Sequence, residues 1–186
     1  MAAKIEPLLT IEDLDACPDD GNRYELIGGE LLVSRAPGIP HQRVLHNLQF
    51  EFALYLRQNP IGTLLPGVGA IFSQHDAVIP DLVLVLCEQW DSIATGSALT
   101  GAPALAIEIL SPGSENRRRD LSVKRQLYAK YGVSEYWVID PEKRMVEIFR
   151  LAKSTLEKVM TVADEQFIAS PLLPGLQLRV SAILIN

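Results

Sequence analysis

The chain has 186 residues, 48% hydrophobic and 22% charged, the make-up of an ordinary globular protein long enough to bury a substantial core. Its formal net charge of −6 argues against a simple module held on nucleic acid by long-range attraction, although a local basic patch can still dock phosphate. No apolar run reaches the length of a membrane span, no hydrophobic leader opens the chain, and two isolated cysteines suggest neither a disulfide framework nor a zinc site, so a cytoplasmic protein is expected.

Thr10 caps a short helix opened by Ile11, Glu12 and Asp13, whose acids suit the helix dipole. Tyr24–Ser34 reads as a hairpin turning on Gly28-Gly29. From His41 to about Arg57 apolar residues recur at three- and four-residue steps, and Asn59-Pro60 ends that helix. Strands are expected at Gly62–Leu65, Val68–Phe72, Ala77–Leu86 and Ala104–Leu110, with Glu88–Pro103 a loop holding one helical turn. A helix from about Ser114 to Tyr131 stops at Gly132. Glu135–Asp140 is a strand turning through Asp140-Pro141-Glu142-Lys143 into Met145–Arg150, and the tail is strand and loop. The pattern predicts one mixed α and β domain over 1–186, with an N-terminal helix and hairpin at about 10–35.

Two acids interrupt apolar runs. Glu108 stands within Ala104–Leu110, and Asp81 follows Pro80 within Val78–Leu86. Such strands read as buried on both faces, where an ionised carboxylate costs several kcal/mol or more unless it is paired. A divalent metal is the strongest available partner. On the helix that follows the Glu108 strand, Lys124 shares a stripe with Leu121, Leu127, Tyr128 and Tyr131. It must snorkel or meet an acid. Asp120, one turn earlier, offers an ordinary helix pair, but the buried acids favour a helix that aims Lys124 at them. Two carboxylates and a lysine suit phosphodiester hydrolysis: hard oxygen ligands hold Mg²⁺, and the lysine orients water or stabilises developing negative charge.

Pro80-Asp81 followed by Glu108-Ile109-Leu110 resembles the PD-(D/E)XK nuclease signature, with Leu110 where the lysine is expected and Lys124 as its migrated replacement. The closer resemblance is to the Uma-two family of restriction endonuclease-like proteins. It rests on Tyr24-Glu25-Leu26-Ile27-Gly28-Gly29-Glu30-Leu31, His41, Ile79-Pro80-Asp81 and Glu108-Ile109-Leu110-Ser111-Pro112. Asp120, Lys124, Gly132–Pro141 and Leu173-Pro174-Gly175 extend it over about residues 23–180. The resemblance implies an α/β (α+β) restriction endonuclease-like core with a mixed central β-sheet flanked by helices, and a homodimer. It implies Mg²⁺ or Mn²⁺ held by Asp81, Glu108 and the Ile109 carbonyl, and Lys124 nearest the attacking water. An Mg-dependent endodeoxyribonuclease acting on DNA is then expected, leaving a 5′-phosphate and a 3′-hydroxyl.

Glu25 and His41 are additional site candidates, each with a plain alternative: a solvent-facing hairpin charge and a helix cap. Glu30, His46 and His75 are expected to be exposed or structural, and Trp137 to be core. Arg117, Arg118 and Arg119 form the conspicuous basic cluster and are expected to touch substrate phosphate, or else to be a solvated helix face. Two other readings remain in view: a catalytically inactive nucleic-acid-binding or regulatory protein retaining the nuclease fold, and a hydrolase of another phosphate ester.

Overall fold

The computed structural model describes the backbone of residues 7–111 and 119–184, and the side chains of all of these except 119–121. Ile11–Asp15 forms α1, with Asp13 Oδ2 accepting the Thr10 N–H at 2.8 Å. The expected hairpin is present as β1 (Arg23–Ile27) and β2 (Glu30–Ser34). It turns through Gly28 and Gly29 at φ +60° and +78°, left-handed values that a side chain would resist. The long helix α2 (Ile39–Gln58) starts two residues before His41, because Pro40 fits a first turn where no N–H is needed.

The single strand expected over Ala77–Leu86 is two strands in different sheets. β5 (Asp76–Val78) belongs to one and β6 (Leu82–Leu86) to the other. Ile79-Pro80-Asp81 carries the chain across, and Pro80, lacking an N–H, cannot continue a ladder. The hydrophobic pattern runs through unbroken because both strands are buried on both faces.

The first sheet runs β2-β1-β5-β4-β8-β7 and includes β4 (Ala70–Ser73), β7 (Ala94–Thr95) and β8 (Ala98–Leu99). These last two short strands and the turn of helix α3 (Trp90–Ile93) occupy the expected loop. The central sheet runs β12-β11-β10-β9-β6-β3, with β3 at Gly62–Pro66, β9 at Leu105–Ile109 and β10 at Glu135–Asp140. β11 (Met145–Ala152) and β12 (Thr155–Ala163) complete it. Only the β9–β10 pair is parallel, so the sheet is mixed, as expected.

Alternation along the central strands divides the core in two. Leu82, Leu84, Leu105, Ile107, Trp137 and Ile139 face α2, where Val44, Leu45, Leu48 and Phe52 cover them. Val83, Val85, Ala106, Tyr136 and Val138 face the first sheet and a short helix, α4 (Arg125–Tyr131), through Ala70, Val78, Leu127 and Tyr128. Asp81 and Glu108 share the parity of this second set.

The helix expected from about Ser114 is a π-wound turn over Arg119–Lys124 leading into α4, and its predicted start lies outside the described residues. Gly132 ends α4 at φ 88° and donates its N–H to the Tyr128 carbonyl. The tail also holds a short helix, Val180–Ile183, whose Val180 and Ile183 are buried. No helix among the described residues is long and apolar enough to cross a membrane.

Asp76 fastens the hairpin to α4. Its carboxylate accepts the Gly28 N–H at 2.7 Å, the Lys130 Nζ at 2.9 Å and the Tyr131 hydroxyl at 2.6 Å. Burial by itself would push this carboxyl up, but the bonds from Tyr131, Gly28 and Lys130 outweigh it and hold the pKa at about 2, below the ordinary 3.8. A carboxyl depressed in the folded state stabilises fully above its unfolded value and loses that contribution as pH falls through its folded one. Asp76→Asn is therefore expected to lose about 2 kcal/mol at pH 7. The difference from the wild type should shrink as pH drops from about 4 towards 2, as read by urea denaturation across that range.

Candidate active site

The β6–β9 register pairs Leu82 with Ile107, Val83 with Ala106 and Leu84 with Leu105. Continued by one residue, it sets Asp81 opposite Glu108. The Ile109 N–H closes the junction by donating to Asp81 Oδ2 at 2.8 Å. Both acids are nearly sealed, at 3% and 4% exposure, at the floor of a cavity of about 490 Å³.

Each acid has cationic company. Lys124 Nζ lies 2.8 Å from Glu108 Oε1 and 2.8 Å from Glu25 Oε1. The Tyr128 hydroxyl, one helical turn beyond Lys124, donates to the same Glu108 oxygen at 2.8 Å. Glu25 Oε1 also accepts the Ile79 N–H at 2.8 Å, which ties the hairpin to the crossover beside Asp81. Glu25 is thus a buried member of the cluster, whereas Glu30 is exposed. Lys124 meets the acids as the sequence pattern anticipates.

On the Asp81 side, Arg23 Nη1 donates to Oδ1 at 3.0 Å, and His41 Nε2 is 3.1 Å from the same oxygen. His41 is buried in the first turn of α2, and neither ring nitrogen makes a well-aligned hydrogen bond among the described residues. Its Nε2 contact is a close charge approach when the ring is protonated. Burial pushes the Asp81 carboxyl up, but His41, the Ile109 amide and Lys124 more than reverse this, so its pKa falls below the ordinary carboxylate value. Asp81 is therefore ionised at neutral pH. Burial, reinforced by the Glu108 charge, pushes the Tyr128 phenol well up, which keeps it a hydrogen-bond donor.

The structure brings Asp81, Glu108, Lys124, Glu25, His41 and the Ile109 main chain together. Leu110, at the position of the missing lysine, is 4% exposed and packs in the second core. Arg117 and Arg118 lie outside the described residues, as does the Arg119 side chain. His46 is exposed, while His75 Nδ1 lies 2.7 Å from the Leu9 carbonyl, a structural contact. Trp137 is fully buried. Sequence reasoning misses Arg23. The available signal is its place two residues before Glu25, which puts both side chains on one face of β1.

An α+β protein with a buried carboxylate–lysine cluster at the end of a mixed central sheet is the class that this fold and site define. The chain belongs to the Uma2 family, whose description is "Putative restriction endonuclease" and whose model matches residues 11–181. It shares its fold with a crystal structure from Anabaena variabilis described as "a putative nuclease belonging to DUF820". The TM-score is 0.77 at 19% sequence identity, over 95% of this chain and 97% of that one. No curated protein matches the chain.

Lys124 compensates two buried carboxylates, and removing one member of such a cluster costs about 3–5 kcal/mol. Lys124→Ala is expected to lose stability on that scale. Lys124→Met combined with Glu25→Gln and Glu108→Gln should recover most of it, because no uncompensated charge is left. Chemical denaturation of the two variants checks this.

Proposed function

We propose that this chain is a nuclease, a metal-dependent endonuclease that hydrolyses phosphodiester bonds in DNA. The observation that carries the reading is the convergence of Asp81, Glu108 and Lys124 on one buried floor. The family description supports it, as does the nuclease description of the Anabaena variabilis protein that shares the fold.

The residues present fit an oxygen-coordinated divalent ion. No three His, Cys, Asp or Glu side chains among the described residues form an all-protein cage. Mg²⁺ needs none, since it is commonly held by one or two carboxylates with water completing its shell. Glu25, Asp81 and Glu108 bring carboxylate oxygens to one floor lined by the Ile109 main chain, the hard donor set that such an ion takes. Asp81, Glu108 and the Ile109 carbonyl would hold Mg²⁺ or Mn²⁺. Bound there, such an ion supplies charge neutralisation at the phosphoryl oxygens and acidifies water.

The protein's own groups do the rest. Lys124, held between Glu25 and Glu108, orients the attacking water and stabilises charge that develops on phosphorus-bound oxygen. Tyr128 fixes the Glu108 carboxylate from the side away from solvent. Attack on phosphorus expels the 3′-oxygen, leaving a 5′-phosphate and a 3′-hydroxyl. A homodimer belongs to this reading, since two such sites would address both strands of a duplex. Sedimentation at micromolar concentration tests that part.

The inactive binding protein is the competing reading, and one contact favours it: Arg23 already rests on Asp81 where a cation would sit. Cleavage of supercoiled and single-stranded DNA in Mg²⁺ or Mn²⁺ separates the two. Asp81→Asn and Glu108→Gln are expected to lower metal-dependent cutting by at least about a hundredfold, on the scale of removing one electrostatic stabiliser. Lys124→Gln should do the same, with circular dichroism showing that each variant folds. Cutting that survives Lys124→Gln would return Lys124 to a pairing role. A wild type that cuts nothing would leave the binding protein.

A further inference from the structure

Resting on the nucleic-acid reading above, we infer that Arg23, with Arg35 beside it, is the site's ligand for substrate phosphate. The cavity floor is acidic, so an incoming phosphodiester needs cations at the rim. Arg117, Arg118 and the side chain of Arg119 lie outside the described residues. Among the described cavity-lining residues other than Lys124 and His41, the cations are Arg23 and Arg35.

Their placement follows from the hairpin. Arg23 pairs with Ser34 across β1 and β2, and Arg35 is the next residue along. Both therefore stand at the open end of the hairpin, opposite its Gly28-Gly29 turn. The same face of β1 delivers Glu25 to Lys124 and Arg23 to Asp81.

Neither arginine is used up by the fold. A guanidinium carries five N–H donors in a planar fork. The bond from Arg23 Nη1 to Asp81 accounts for one of them, and the side chain is 26% exposed. A guanidinium serving Asp81 alone would do better with a two-bond fork in a sealed pocket. Arg35 is exposed and makes no hydrogen bond or ion pair with a described residue. Free donors on a concave rim match the oxygens of a phosphodiester, which guanidinium binds bidentately. Because the backbone of a nucleic acid is uniform, this contact sets affinity and register without reading sequence.

The test is fluorescence anisotropy of fluorescein-labelled single-stranded and duplex DNA of about 20 nucleotides, in EDTA so that nothing is cut, from about 50 to 200 mM salt. Arg23→Gln and Arg35→Gln are each expected to weaken binding about fivefold or more. Each should also flatten the slope of log affinity against log salt by about 0.7–0.9, the loss of one phosphate contact. Arg23→Lys keeps the charge and should keep the slope while losing affinity. If Arg23→Gln folds poorly, the exposed Arg35→Gln carries the same test without that complication. Wild-type affinity and slope in both glutamine variants would overturn the inference and leave the nuclease reading standing. A wild type that binds neither DNA would overturn the inference, while the cleavage assay above decides the nuclease reading separately.

Discussion

One buried ammonium holds the site and much of the fold in register. Lys124 closes a bridge between Glu25 of the hairpin sheet and Glu108 of the central sheet, and it enters from the turn that begins α4. Three separate segments thus meet at a point with 2–4% exposure. A lone charge there would be costly, and two carboxylates without the lysine would repel one another. Each member is tolerable only in the presence of the others. The Tyr128 hydroxyl and the Ile79 amide take further carboxylate capacity, so the cluster has little freedom to rearrange.

The crossover at Ile79-Pro80-Asp81 explains why an acid can stand so deep. The chain leaves one sheet and joins the other within three residues, and ladder pairing lapses there. Asp81 falls in the gap, where its Oδ2 takes the Ile109 N–H that a continued β6 would have bonded. The same gap admits Arg23 and His41 to Oδ1. An interrupted ladder therefore makes room for a buried carboxylate and its partners. The cost is offset by the His41 contact, the Ile109 N–H and the nearby Lys124 charge rather than by packing, which is why the Asp81 carboxyl is depressed despite its burial.

A second pair of polar anchors shows that buried charge in this chain is not confined to the candidate site. Asp76 ties the hairpin turn to Lys130 and Tyr131. Glu135 accepts from Trp137 Nε1 at 2.6 Å and Arg150 Nε at 3.0 Å, at the other end of β10. Both are met by several donors, and neither lines the cavity above Asp81 and Glu108. Burial alone does not mark a site. What separates Asp81 and Glu108 is burial together with a cavity above them.

Much of this was legible in the chain itself. The hairpin followed from Gly28-Gly29, α2 from its apolar spacing and the central strands from their unbroken hydrophobic runs. Asp81 and Glu108 stood out because local pattern makes an acid in such a run anomalous whatever the fold. The position of Lys124 one helical turn from Tyr128 was likewise a matter of period. Other features depended on contacts between distant segments. The change of sheet inside Ala77–Leu86 is invisible to a pattern buried on both faces. Only the packing decides that Glu25 faces inward while Glu30 faces water. Arg23 reaches an acid 58 positions away, so it reads as an ordinary surface arginine until the two sheets close over it. Sequence determined which residues were out of place in their local surroundings; tertiary structure decided which of them meet, because long-range pairing is set by sheet register and not by spacing along the chain.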